Sequence, residues 1–260
     1  MSDQTSDNNK RIAKNTLFLY LRMLFLMAVS LYTSRVILNA LGVEDYGIYN
    51  VVGGVVAMFS VLSGSLSSAI SRFITYELGR GNSARLKDIF SSAVTIQVVL
   101  SGIIIVLAET IGIWFLNYKM VIPAERLVAA NWVYQFSIVT FAINLISLPY
   151  NASIIAHEKM SAFAYISILE ALGKLIVAWA ILVSPIDRLI FFSGLVAVIA
   201  WLIRMVYARY CKSNFEECHY SIKIEKKIFK EMLGFAGWNF IGSSSAIIRD
   251  QCGSILINLF

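Results

Sequence analysis

Long apolar runs are the feature that most limits how this chain can fold. Several stretches of about 20 or more residues carry few or no charged side chains, which is enough for a helix to cross the hydrocarbon core of a bilayer. Of the 260 residues, 58% are hydrophobic and 15% are charged, whereas soluble domains have about 45–50% and about 25%. The chain is therefore predicted to be an all-α polytopic membrane protein, and a soluble enzyme is excluded.

Seven of these runs predict seven membrane-spanning helices. The connections on one side hold about ten residues or fewer, so they leave no room for an extramembrane catalytic domain. The predicted spans are Thr16–Leu38, Tyr46–Ser71, Ile89–Leu116, Leu127–Ala156, Ala162–Ser184, Leu189–Ala208 and Gly234–Phe260.

Basic residues fall almost entirely on one side of the predicted membrane. Only Lys119, Arg126 and Arg188 lie in the connections opposite the N-terminus, and fourteen lie on the N-terminal side. Because short cytoplasmic loops carry the excess of Lys and Arg, the N-terminus is predicted to be cytoplasmic. The fourteen are Lys10, Arg11, Lys14, Arg72, Arg80, Arg85, Lys87, Lys159, Arg209, Lys212, Lys223, Lys226, Lys227 and Lys230.

Hydrogen-bonding side chains recur every three or four residues along the fourth predicted span. Ser137, Thr140, Asn144, Ser147 and Asn151 therefore share one helical face. A polar face is costly in lipid unless it meets other helices or a wet cavity. Two interpretations stay open here: a cavity wall, which the amide side chains favour, and close helix packing through small residues.

Two arginines lie within the first predicted span, where an ionised side chain at the bilayer centre costs about 2.5–3.5 kcal/mol on the mildest scale. Arg22 lies about 12 Å beyond Lys14 along the helix, and Arg35 lies near the other end. The two side chains point about 220° apart, so they cannot share a narrow face. Each is either a functional cation or a side chain that snorkels to the interface.

The carboxylates inside the spans are candidates for ion coupling. Glu109 has no partner within its own helix. It is therefore either a group that binds a proton or cation or a residue with a structural role. Glu170 and Lys174 form an i,i+4 pair in the favourable order, and they either neutralise each other or serve a site. Arg249 and Asp250 diverge by about 100° on the seventh span, so we expect them to have different partners.

The sequence predicts neither a metal site nor a nucleotide cofactor. Cys211, Cys218 and His219 lack the usual pairing and a fourth ligand. A Walker A motif is missing from the sequence, so direct coupling to ATP within this chain is not expected. We predict no cofactor, no nucleic-acid partner and no enzymatic activity.

Three segments resemble a known family. They are RVILNALGVEDYGIYN at 35–50, ISRFITYELGRGN at 70–82 and PYNASIIAHEKM at 149–160. They are similar to the first hairpin and to the exits of the second and fourth helices of bacterial polysaccharide flippases. These form the Wzx-like, polysaccharide-transporter branch of the multidrug/oligosaccharidyl-lipid/polysaccharide exporter superfamily. The resemblance extends over the whole chain and says nothing about which sugar is carried.

The resemblance implies two six-helix lobes that face each other across a central cavity. Residues 1–15 are then a cytoplasmic tail and residues 16–208 the N-terminal lobe, followed by a basic cytoplasmic connection at 209–233. Residues 234–260 are the first helix of the second lobe, so the chain is expected to be an N-terminal fragment of a longer transporter.

The resemblance also implies a function: flipping a polyprenyl-pyrophosphate-linked oligosaccharide across the bacterial inner membrane for surface polysaccharide biosynthesis. Arg22 and Arg249 are the candidate contacts for the anionic head group, because Arg offers a permanent charge and bidentate hydrogen bonds. Arg35 is a further candidate substrate-binding residue. Ser137, Thr140 and Asn144 are the candidate contacts for sugar. Glu109 or Asp250 is the candidate group for coupling to H⁺ or Na⁺. Membrane lipids and the polysaccharide polymerisation machinery are the expected partners.

Two alternatives were weighed against this function. A MATE-type exporter of cationic drugs needs buried carboxylates, and the predicted spans contain five basic residues against three acidic ones. That balance favours an anionic cargo. A membrane-embedded glycosyltransferase or polymerase would need a large external loop or clustered catalytic acids and histidines, and the sequence has neither.

Overall fold

The computed structural model shows helices joined by short connections. The helices are α1 (Ser2–Ala57), α2 (Ser60–Arg80), α3 (Ser83–Leu107), α4 (Ile113–Tyr118), α5 (Leu127–Ala156), α6 (Met160–Ala180) and α7 (Arg188–Asn214). A π-helical turn at Ala108–Gly112 joins α3 to α4, and 3₁₀ turns lie at Ala124–Arg126, Ile181–Val183 and Glu216–Cys218. The described residues are 2–57, 60–120, 122–220, 229–232, 234–235, 237–239 and 241–242.

Helices α5 and α7 run parallel to each other. Arg126, just before α5, pairs with Asp187, just before α7. Near the other ends of the two helices, the Cys211 thiol donates a hydrogen bond to the Tyr150 carbonyl. Helix α6 lies between α5 and α7 in the chain, is joined to each by a short connection and runs antiparallel to both. The two ends of the bundle are named here the Arg126 end and, for the residue that caps α5, the His157 end.

Helix α1 reverses direction at Gly42. Its first part runs parallel to α6, since Phe18 contacts the ring of Tyr165 and Ile37 packs against Val177 further along. The part after Gly42 starts at the Arg126 end and packs along α5. Gly42 has φ +82° and ψ 170°, a backbone conformation open to glycine because it lacks a Cβ. The two parts of α1 therefore form a hairpin with almost no loop.

Large apolar side chains cover the outside of the bundle. Leu31 is 69% exposed, Val106 61% and Ile176 67%, values that would be costly in water and are ordinary against lipid tails. Aliphatic residues, Ile above all, and a few aromatic rings fill the inside. Helices α3 and α5 meet through the Phe90 and Tyr150 rings, whose centroids are 5.2 Å apart. The outward apolar belt agrees with a membrane protein.

Five helical segments in the described part of the chain are long and apolar enough to cross a membrane: Asn15–Gly54, Ser83–Tyr118, Ala124–Ala156, Met160–Val183 and Arg188–Asn214. The prediction of an all-α polytopic membrane protein is confirmed. The predicted second span, Tyr46–Ser71, is divided between the second part of α1 and the start of α2. Most of the predicted seventh span, Gly234–Phe260, lies outside the described residues, so the number seven stays a prediction.

Candidate substrate cavity

A cavity of about 640 Å³ opens between both parts of α1 and helices α5, α6 and α7. Its polar lining includes Arg22 and Asn50 from α1 and Thr140 and Asn144 from α5. A smaller space of about 210 Å³ adjoins it and shares Tyr49, Thr140, Asn144 and Val196 with it. The larger volume lies within the range of about 300–1,000 Å³ that is typical of ligand pockets.

Arg22 supplies a positive charge to this cavity. Its guanidinium lies over the Phe163 ring, 4.4 Å from the ring centroid. Its Nε is buried and has no hydrogen-bond partner among the described residues. No carboxylate in the described part of the chain forms an ion pair with Arg22, so its positive charge is not neutralised there.

The polar face of α5 forms the opposite wall. Thr140 and Asn144 line both spaces, and Ser137 lines the smaller one, as the three- and four-residue spacing predicts. Ser147 instead donates its hydroxyl to the Ile143 carbonyl of its own helix. The structure thus brings Ser137, Thr140 and Asn144 to the cavity system that Arg22 enters, which favours the cavity-wall interpretation of this face.

Glu170 and Lys174 line the same cavity. The Lys174 Nζ donates to Glu170 Oε1 at 2.6 Å, one helical turn apart on α6. The i,i+4 spacing predicted this contact, but it could not predict that the pair lines the same cavity as Arg22. The second part of α1 adds Tyr46, Tyr49 and Asn50, polar lining residues that sequence reasoning did not single out.

An ion-pair network lies at the Arg126 end of the bundle. Arg126 bonds both Asp45 at the start of the second part of α1 and Asp187, with 2.6 Å between its Nη1 and Asp187 Oδ2. Burial alone raises the pKa of Asp187, but hydrogen bonds from Arg126 and from the backbone N–H groups of Leu189 and Ile190 hold that pKa below its ordinary value. The network ties the α1 hairpin to α5 and α7.

Glu109 lies in the π-helical turn, away from the cavity. It accepts a hydrogen bond of 3.2 Å from the Gln135 side chain of α5. In the same turn the Tyr134 hydroxyl donates to the Ala108 carbonyl at 2.9 Å. A Cβ on Gly112 would overlap that hydroxyl oxygen. Sequence reasoning found no partner for Glu109 within its own helix, and the structure supplies one from the next helix.

A buried amide on α3 was missed at the sequence level. Within the described part of the chain, the fully buried Gln97 has no hydrogen-bond partner for either its oxygen or its nitrogen. It lies on the stripe of α3 that carries Phe90, Val94 and Ser101, all buried. An orphaned amide costs about 1–3 kcal/mol relative to a satisfied one. The sequence does contain a signal for this group, since a glutamine stands inside a long apolar run.

The remaining predicted site residues are Arg35, Arg249 and Asp250. Arg35 is exposed on α1 and is not among the residues that line the cavity. Arg249 and Asp250 lie outside the described residues. Cys211 and Cys218 are buried, and in the described part of the chain no three His, Cys, Asp or Glu side chains gather to hold a metal ion.

The fold and the cavity define a multi-pass membrane protein with an internal polar cavity. The chain belongs to the polysaccharide biosynthesis protein family, whose profile matches residues 12–260. Neither the curated proteins nor the solved structures give a significant match.

Proposed function

We propose that the protein is a flippase that moves a polyprenyl-pyrophosphate-linked oligosaccharide to the outer leaflet of the bacterial inner membrane. Its family places it in polysaccharide biosynthesis. The observation that carries the proposal is one cavity lined by Thr140, Asn144 and Arg22, an arginine without an ion-pair partner among the described residues. A cation beside neutral hydrogen-bonding groups suits a cargo that joins a phosphate to a sugar.

The positive charge of Arg22 can compensate the negative charge of the cargo, whose transfer through hydrocarbon is the main energetic barrier. A pyrophosphate group cannot cross hydrocarbon unless its charge is compensated, because desolvating an ionised group is very costly. The Arg22 guanidinium lies over the Phe163 ring, and no carboxylate among the described residues neutralises its charge. In this proposal Arg22 binds the phosphate, with Arg249 as a further candidate contact, and Arg35, which does not line the cavity, makes no contact with it.

The polar face of α5 serves the sugar. Ser137, Thr140 and Asn144 offer hydroxyl and amide groups, which donate and accept hydrogen bonds without adding charge. The lipid tail stays in the bilayer, where the exposed apolar side chains of the bundle do not oppose it. Two lobes rocking around the cargo would give alternating access, with residues 16–208 as the first lobe, 209–233 as the connection and 234–260 as the start of the second.

The proposal includes the orientation of the protein in the membrane and the ion that drives transfer. The excess of Lys and Arg places the N-terminus and the His157 end in the cytoplasm and the Arg126 end outside. Glu109 or Asp250 takes up H⁺ or Na⁺; for Glu109, the Gln135 contact and the π-helical turn support this, since such turns are frequent at functional sites. The polymerisation machinery receives the flipped product.

A leaflet-translocation assay tests the function. The full-length protein in proteoliposomes would be given a polyprenyl-pyrophosphate oligosaccharide, and its appearance in the opposite leaflet would be followed over time. Loss of a charge-assisted contact worth about 1.5–3 kcal/mol should slow transfer by Arg22→Gln about tenfold to a hundredfold. Arg35→Gln removes a charge from the same helix outside the cavity lining, so it is the matched comparison and should have a smaller effect.

Each alternative result has a clear meaning. Equal losses in Arg22→Gln and Arg35→Gln would show that helix charge matters rather than position in the cavity. Wild-type protein that leaves the lipid in place and exports a cationic dye would refute the flippase and favour a MATE-type exporter.

A further inference from the structure

The smaller space beside the Arg22 cavity has the size of a single ring. Its volume is about 210 Å³, below the range of about 300–1,000 Å³ that pockets for drug-sized ligands occupy. A ligand can extend into it from the larger cavity, because the two spaces share part of their lining. The residues that line both are Tyr49, Thr140, Asn144 and Val196.

The two spaces differ in charge. Arg22, Glu170 and Lys174 line the larger cavity and not the smaller space. In the described part of the chain, every residue that lines the smaller space is uncharged. An anionic group placed there would lose water without gaining a counter-ion from this lining, which is costly. The smaller space therefore favours an uncharged part of a ligand.

Aromatic rings form part of the wall of the smaller space. Tyr49 packs edge-on against Phe192, with 4.9 Å between the ring centroids, and Phe136 and Phe141 of α5 line the same space. A sugar ring presents C–H groups on its faces, which pack against aromatic rings, and hydroxyl groups around its edge. An apolar wall with a few placed polar groups is typical of small-molecule sites.

Three polar side chains of this wall are available to the edge of a sugar. Ser137, Thr140 and Asn144 form no hydrogen bond with any other residue that the structure describes. In contrast, Ser193 on the same wall donates its hydroxyl to the Leu189 carbonyl of its own helix. Hydroxyl and amide groups that are not used within the helix can both donate to and accept from sugar hydroxyls.

Gly53 leaves room for such a ring. It lines the smaller space from the second part of α1, and a Cβ added to it would have no atom within 4 Å. A large side chain at this position would therefore occupy part of the space. The next residue, Gly54, also has room for a Cβ, but it is exposed and lines neither space.

We propose that the smaller space is a subsite for one uncharged sugar ring, the ring next to the phosphate bound at Arg22, and that Gly53 keeps this subsite open. This inference rests on the flippase function proposed above and adds a selectivity to it. A neutral hexose fits the uncharged wall. A hexuronic acid is disfavoured, because its carboxylate finds no counter-ion among the residues that line the subsite.

Binding of three synthetic lipids to the full-length protein in nanodiscs tests the subsite. The probes are farnesyl pyrophosphate and the same lipid joined to glucose or to glucuronic acid, and calorimetry gives each dissociation constant. Wild type should bind the glucose lipid at least about tenfold more tightly than the glucuronic acid lipid. The affinity for the glucose lipid relative to farnesyl pyrophosphate should fall about tenfold in Gly53→Leu. Gly54→Leu, the matched control, should keep the wild-type ratio.

Contrary results separate the subsite from the proposed function. Equal or tighter binding of the glucuronic acid lipid, or a wild-type ratio in Gly53→Leu, would overturn the subsite. The flippase would still stand in that case if binding of farnesyl pyrophosphate weakened in Arg22→Gln. Wild type that binds none of the three lipids would count against the flippase itself.

Discussion

Removing the contact between Tyr134 and the π-helical turn should lower the free energy of unfolding. The turn contains Glu109, and the fully buried Tyr134 side chain donates to the Ala108 carbonyl. Tyr134→Phe removes one of two donors to that carbonyl, because the Ile113 backbone N–H also donates to it. The carbonyl therefore keeps a partner, and hydrogen bonds between membrane helices average about 0.6 kcal/mol. We expect a loss of about 0.6 kcal/mol in the free energy of unfolding.

Gly112→Ala perturbs the same contact from within the π-helical turn. The new Cβ would overlap the Tyr134 hydroxyl oxygen and approach the ring carbon that bears it to 2.8 Å. Overpacking costs about 1–3 kcal/mol, and the better helix propensity of Ala returns about 1 kcal/mol. Gly102→Ala, on the same helix with no atom within 4 Å of the added Cβ, has only the favourable contribution and is the matched control.

The double variant separates the two effects. In Gly112→Ala with Tyr134→Phe, the oxygen that the Cβ overlaps has gone, so the combined loss should be smaller than the sum of the single losses. Reversible unfolding in mixed detergent micelles, followed by helical circular dichroism, gives all four free energies. Gly112→Ala as stable as Gly102→Ala would refute the close approach, and strict additivity would refute the shared contact.

Two further predictions concern groups away from the cavity. Gln97→Leu should raise the free energy of unfolding by about 1 kcal/mol or more, because an apolar side chain of similar size replaces an amide without partners; a loss of stability in the same unfolding measurement would show that the amide is satisfied. The depressed pKa of Asp187 means that its contact with Arg126 stabilises the fold at neutral pH, and that this contribution is lost as the pH falls through that lowered pKa. Thermal unfolding of Asp187→Asn against wild type across acidic pH should show the difference shrinking on acidification, and a constant difference would contradict the assignment.

The spacing of residues along the sequence was enough to predict those parts of the fold and of the site that depend on a single helix. The apolar runs predicted α3, α5, α6 and α7, since burying a backbone in lipid requires a helix of fixed length. The spacing of Thr140 and Asn144 likewise predicted a shared face, and the structure turns that face to a cavity. Arg22 was recognisable because a charge deep in an apolar run needs an explanation.

Features that join distant residues could not be predicted in this way. Asp45, Arg126 and Asp187 each stand near a span boundary, where charged residues are expected anyway, and only the fold brings them together. The π-helical turn needs one extra residue in a helix and leaves no mark in composition. For Glu170, the local pairing was visible, but the cavity beside it depends on how α6 packs against α1 and α7.

The reversal of α1 at Gly42 bears on how the protein enters the membrane during its synthesis. A hairpin without a loop has no polar segment at its tip to be carried across separately. Only Glu44 and Asp45 follow the turn as charged residues before the next apolar stretch. In the proposed topology, with a cytoplasmic N-terminus, these two carboxylates cross the bilayer, and this is more tolerable when both apolar arms arrive together and shield them. We therefore expect the two arms to insert as one unit, so that a break in the second arm also prevents the first from reaching its place.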